Sequence, residues 1–160
     1  MARTIGKDAP EQKIIDDIAR YGWHCMNILA DDRGGPFSLT IGLFQTYQLP
    51  ELVIFGLPGN VAHEVLAIAV EKIQSGTPLD MSMPTDELLE SYPCIFVPVP
   101  ESAYHEYLGF CIWYNEGQRF PMYQIVWPSR EGYFPWHPAA SESFRADQPV
   151  LGQSPVGTPV

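Results

Sequence analysis

The stretch FSLTIGLFQTYQLPELVIFGLPGN, residues 37–60, sets the architecture expected of this chain. Residues 37–43 alternate between apolar and small side chains, which is the pattern of a strand with one buried face. Residues 51–57 form a continuous apolar run that ends at a Pro-Gly pair, which indicates a second and more deeply buried strand. Asn60 then caps a predicted helix. The stretch therefore predicts a sheet with a helix packed across one of its faces.

The segments on either side of this stretch supply further elements. Residues 8–22 predict a helix, because Asp8 and Glu11 have the spacing of a capping box. Adjacent strands without helical crossovers favour an antiparallel or mixed sheet, so the predicted class is α+β, and a split-barrel-like arrangement is one form of it. The remaining predictions are strands at 23–30 and 94–99, a hairpin of 110–115 with 120–127, a long covering helix at 60–75, and short helices at 85–92 and 101–108.

The chain of 160 residues is long enough to bury a substantial core. We expect one α+β domain over residues 8–136. The composition then changes, and residues 137–160 are predicted to be an irregular, proline-rich tail that either lies along the domain or is mobile.

Charge and composition exclude several classes of protein. The net charge is −10, and the nine basic residues are scattered, whereas a nucleic-acid-binding face needs clustered lysine and arginine. The same negative charge disfavours anionic membranes. No apolar stretch is long enough to span a bilayer, and the N-terminus lacks the apolar core of a signal peptide. We therefore expect a soluble cytoplasmic protein in which the three cysteines, Cys25, Cys94 and Cys111, are reduced.

Several motifs resemble a bacterial family known only as a domain of unknown function, number four-two-six-two. They are PFSLTIGL, PELVIFGLP, YPCIFVPV, QIVWPSREGYFPW and QPVLG, and the resemblance extends from about Ile15 to Gly152. The residue before PEL is often His in that family and is Leu49 in this chain, which weakens any role for a His there. The resemblance implies no particular activity.

The residues suggest one candidate cleft. Ser38 and Thr40 form a row of hydroxyl groups on the strand at 37–43. Gln124 is a polar residue within an apolar row of the last strand, so its amide must bond either backbone or a ligand. The turn PSREG would bring Trp136 back toward Trp127. These five side chains predict an aromatic-lined binding cleft; the alternative is that the tail fills this gap.

The predicted function is that of a binding or interaction module without catalysis, whose partner is an unknown small molecule or protein. No phosphate loop, nucleophile elbow or zinc motif is present, so no catalytic or metal-binding residues are predicted, and whether the protein is an enzyme stays open. The alternative is a flavin-binding oxidoreductase-like protein of split-barrel type. A flavin phosphate would then meet Ser38, Thr40 and an arginine, either Arg33 or Arg130.

Overall fold

A six-stranded mixed sheet forms the centre of the computed structural model, which describes residues 2–32, 34–75 and 81–153. In chain order the elements are α1 (Ala9–Tyr21), β1 (His24–Ile28), β2 (Phe37–Ile41), α2 (Leu43–Tyr47), β3 (Glu51–Phe55), α3 (Gly59–Gln74), β4 (Thr85–Leu89), β5 (Tyr92–Pro98), a 3₁₀ turn (Glu101–Ala103), α4 (Tyr104–Tyr107), α5 (Gly109–Asn115), β6 (Met122–Val126) and α6 (Glu142–Asp147). The strand order is β1-β2-β3-β6-β5-β4. Only β3 and β6 are parallel among these neighbours, so the α+β class with a mixed sheet is confirmed.

The two faces of the sheet are covered by different segments. Ser38, Ile54 and Ile125 lie in register on neighbouring strands and face the long helix α3. Leu39, Val53 and Gln124 are likewise in register and face the other way. On that second face, α1, α4 and α5 cover the β1–β3 half, and residues 134–150 cover the β5–β6 half. The predicted covering helix is therefore present, and a second helical layer lies opposite it.

Local signals account for α1. The Asp8 carboxylate accepts a hydrogen bond of 2.9 Å from the backbone N–H of Glu11, which satisfies a free donor of the first turn. Gly22 ends the helix with φ +91°, a conformation that glycine adopts without strain. Ile14 and Ile18 point into the core between these ends. The predicted helix over 8–22 is confirmed.

The short helix predicted at 85–92 is wrong. Residues Thr85–Leu89 form β4, which pairs with β5 through the partners Thr85–Cys94 and Leu89–Tyr92. The chain reverses between the two strands at Ser91, which has φ +68°. Glutamate and leucine favour a helix here, but pairing with β5 and burial of Leu88 override that weak preference.

The strand and hairpin predicted at 110–115 are also wrong. Residues Gly109–Asn115 form α5, and the Asn115 side chain donates a hydrogen bond of 2.8 Å to the Cys111 carbonyl one turn earlier. A short apolar run fits either a strand or a buried helix, and the helical spacing of Leu108, Cys111 and Asn115 decides between them.

Two element boundaries also differ from prediction. The strand beginning at Phe37 ends at Ile41, and Gly42 (φ +108°) leads into α2, which was not predicted. The long helix begins at Gly59 after Pro58, so Asn60 lies inside its first turn and is not its cap.

The C-terminal segment lies along the domain as far as the structure describes it. Gln148 is fully buried, and Val150 and Leu151 pack against the core. The three cysteines are free; Cys94 and Cys111 are buried and Cys25 is partly buried. Within residues 2–32, 34–75 and 81–153, no helix is long and apolar enough to cross a membrane.

Candidate functional site

The predicted cleft between the hydroxyl row and Gln124 is not formed. Ser38 and Thr40 have 1% and 0% of their surface exposed and lie on the face covered by α3. Gln124 is also 0% exposed and lies on the opposite face of the sheet. The alternation of side chains along paired strands separates these groups, because register places them on different sides.

Both hydroxyl groups have partners within the protein. Ser38 Oγ donates a hydrogen bond of 2.6 Å to Asn27 Oδ1. Thr40 Oγ1 donates to Glu51 Oε1 at 2.7 Å and accepts from the Leu52 N–H at 2.9 Å. The hydroxyl row therefore joins strands to one another and is not the wet side of the sheet.

The Gln124 amide bonds backbone, which is the first of the two predicted alternatives. Its Nε2 donates to the Pro149 carbonyl at 2.7 Å, and its Oε1 accepts from the Leu151 N–H at 2.9 Å. Both polar atoms of this buried side chain are satisfied, and the bonds attach the C-terminal segment to the sheet.

The structure places the two predicted tryptophans in different clusters. Trp127 packs with the residues beneath α3, and its Nε1 donates to the Phe55 carbonyl at 2.8 Å. Trp136 stacks on Phe134 at a ring separation of 5.2 Å, on the opposite face of the sheet. They do not bracket a common gap. Of the arginines considered for a flavin phosphate, Arg130 is exposed and Arg33 lies outside the described residues.

A buried carboxylate that the sequence reasoning did not single out lies at the start of β3. Glu51 accepts hydrogen bonds from Thr40 Oγ1 and from the backbone N–H groups of Gly42, Leu43 and Phe44, at 2.7–3.2 Å. These N–H groups open α2, so the carboxylate replaces a helix cap. Burial raises the pKa of Glu51 to about 7, and the four donors act against that rise.

We expect the stability of the protein to fall as Glu51 ionises. Folded Glu51 binds its proton more tightly than unfolded Glu51, so its stabilising contribution is complete below the ordinary pKa of 4.5 and is lost as the pH rises through about 7. The loss is about 3 kcal/mol over this window. Urea unfolding at several pH values should show this fall in the wild type relative to Glu51→Gln. A constant difference between the two proteins across the window would contradict the prediction.

An open cleft lies elsewhere, on the face opposite α3 and between α4 and α6. Its volume is about 350 Å³, within the usual range for small-molecule sites. The ends of β1, β2 and β3 meet there at Ile28, Phe37 and Phe55. Tyr107 of α4 forms one wall.

Three aromatic rings form a cluster at this cleft. Phe37 and Phe55 stack with their centroids 5.0 Å apart. Tyr107 meets both rings edge-on, at 5.7 Å and 5.3 Å. Such mutual packing fixes the orientation of the rings, so the apolar surface of the cleft is pre-formed.

The wall of the cleft that lies across from Tyr107 is held in place by side chains of the C-terminal half. Ala146 and Pro149 line the cleft. Gln148, between them, accepts from the Trp127 N–H at 2.9 Å and donates to the Trp127 carbonyl at 2.8 Å. Gly56 has φ +86°, and a Cβ there would lie 3.0 Å from the Asp147 carbonyl oxygen, so only glycine fits beneath this wall without strain.

The rim of the cleft is acidic and partly apolar. Asp31 and Glu106 line it, and Leu29 beside them is 81% exposed. Asp31 and Gly34 form a tight bridge in which each N–H donates to the other residue's carbonyl. Burial and the negative charge of Glu106 raise the pKa of Tyr107. Among the described residues, no group of three side chains is arranged to hold a metal ion.

The profile of DUF4262, a domain of unknown function, matches residues 17–141. The chain belongs to this family. No curated protein and no solved structure matches it. The DUF4262 match covers the sheet and the aromatic wall of the cleft, whereas Ala146 and Pro149 lie beyond its end.

The residues of this DUF4262 cleft gave weak signals in the sequence. Phe37 and Phe55 read as ordinary core positions of two strands, and Tyr107 belongs to a short helix. Two features of the sequence could have drawn attention, one at Glu51, outside the cleft, and one in the loop that lines it. Glu51 is a charged residue at the head of a buried apolar run, which is unusual unless it has partners. The pair Gly34–Gly35 after two aspartates marks a loop with little side-chain bulk.

Proposed function

We propose that this DUF4262 protein is a binding module, and that the cleft between α4 and α6 takes the apolar part of a small molecule. The observation that carries the proposal is an open concavity of about 350 Å³ with a pre-packed aromatic wall. Sites for small molecules are mostly apolar and aromatic, with a few polar groups at fixed positions. Leu29 extends the apolar surface to the rim, where 81% of it is exposed.

The lining of the cleft supports binding without catalysis. The described residues that form it include no serine, threonine, cysteine, histidine or lysine, so it offers none of these nucleophiles and no imidazole or amine base to activate one. The flavin alternative rested on a split-barrel-like order of elements. The described strands form an open sheet, and Ser38 and Thr40 are sealed under α3, so no specific observation favours a flavin.

Filling the cleft tests the proposal. Ala146 is an exposed position of α6 that lines the cleft, so Ala146→Trp adds bulk there without disturbing the core. In nuclear magnetic resonance titrations with small aromatic fragments, we expect shifts at Gly34, Gly35 and Tyr107. Ala146→Trp should weaken this binding about ten-fold.

Ser143→Trp is the matched control, since Ser143 is exposed on the same helix and does not line the cleft. It should bind the fragments as the wild type does. Fragment shifts that map to another surface, or that persist unchanged in Ala146→Trp, would contradict the proposal.

A further inference from the structure

We infer that the ligand of this cleft is a small organic cation with an apolar body, such as an arylalkylammonium ion. This inference rests on the proposed function, because it assigns a charge to the ligand of the same cleft. It depends on two independent features of the site, the carboxylates of the rim and the partly exposed aromatic rings of the wall.

The carboxylates come from three separate segments. Glu106 lies beside Tyr107 on α4, and Asp31 lies in the β1–β2 loop. On α6, Asp147 Oδ1 is 3.9 Å from the position that a Cβ would take at Gly35. Negative charge that converges on one concavity raises the local concentration of cations.

Positive charge around the cleft is sparse. Among the described residues that line it, none is a lysine or an arginine. Arg145 of α6 directs its guanidinium group at the carbonyls of Pro135, His137 and Pro138. Among the described residues of the β1–β2 loop, α4 and α6, five carboxylates, those of Asp31, Asp32, Glu106, Glu142 and Asp147, stand against the single guanidinium of Arg145, so negative charge is in excess.

The aromatic wall suits the same ligand. The face of an aromatic ring attracts an organic cation, and the surrounding apolar groups accept its hydrocarbon part. Phe37 and Tyr107 are partly exposed at the cleft, and Ile28 and Leu29 continue the apolar surface. A flat surface would suit a basic protein segment, whereas this concavity has the volume of a small-molecule site. We therefore assign a small cation and not a protein partner.

Three probes of one shape and different charge test the inference: 2-phenylethylammonium, 2-phenylethanol and phenylacetate. In calorimetric titrations of the full chain at pH 7 and low salt, we expect the cation to bind about ten-fold more tightly than the neutral alcohol, and the anion to bind most weakly. Raising the salt concentration should weaken the binding of the cation alone, because salt screens the charges of the rim.

Variants separate the charge from the shape of the site. Glu106→Gln should weaken binding of the cation about three-fold and leave the alcohol unchanged. Glu101→Gln is the matched control, since Glu101 is exposed in the preceding turn and does not line the cleft. If the alcohol binds in the cleft as tightly as the cation, the inference fails and the proposed function stands. If none of the three probes binds there, both fail, and a partner of another class must be sought.

Discussion

Replacing Glu51 by leucine is expected to lower the free energy of unfolding by about 4 kcal/mol at pH 7. The substitution leaves four donors without their acceptor, namely the buried Thr40 hydroxyl and the three N–H groups that begin α2, of which that of Phe44 is only partly buried. Each unsatisfied buried donor costs about 1 kcal/mol or more. Denaturant titration followed by tryptophan fluorescence measures the loss.

Two further variants show that the loss comes from these hydrogen bonds. Glu51→Gln keeps the shape and one acceptor oxygen, so it should lose about half as much. Glu64→Leu makes the same change at an exposed position of α3 and should alter stability by about 0.5 kcal/mol at most. Glu51→Leu within about 1 kcal/mol of the wild type would show that the carboxylate does not hold α2 in place.

The variant Leu66→Ala is expected to destabilise the protein by about 2–5 kcal/mol. Leu66 lies on α3 and is 0% exposed. It belongs to the same core cluster as Leu52 and Ile54 of β3. The substitution leaves a cavity that the closely packed sheet cannot close, which adds to the lost burial of the side chain.

Glu64→Ala, on the exposed face of the same helix, is the control for Leu66→Ala. It removes a side chain without opening a cavity, so the midpoint of denaturant unfolding should barely move. A loss below about 0.5 kcal/mol for Leu66→Ala would mean that α3 does not pack on the sheet in solution.

The elements that could be predicted are those with complete local signals. The helix α1 has a cap at Asp8, an apolar stripe and a terminal glycine, all within one segment. The alternation along β2, the apolar run of β3 before Pro58 and Gly59, and the apolar stripe of α3 identify these three elements. Residues 85–92 and 110–115 fit a helix as well as a strand, and their conformation depends on which neighbour they meet.

The same difference between local signals and distant contacts applies to the residues predicted for the site. Gln124 was recognised as an unusual buried amide, but its partners Pro149 and Leu151 are 25 and 27 residues away. Thr40 was recognised as a hydroxyl in a strand, but its face of the sheet is sealed by α3. The sequence therefore identified the unusual polar residues, but it did not identify the distant residues that surround them in the fold.

The sequence alone was sufficient for the family, the α+β class and the negative charge of the chain, because these follow from motifs, periodicity and composition. The location of the open cleft was settled by contacts between distant segments. Register separated Thr40 from Gln124, and Gln148 attached the end of α6 to the backbone of Trp127, directly after β6. A cavity is the space that such contacts leave unfilled, and no local pattern of residues encodes it.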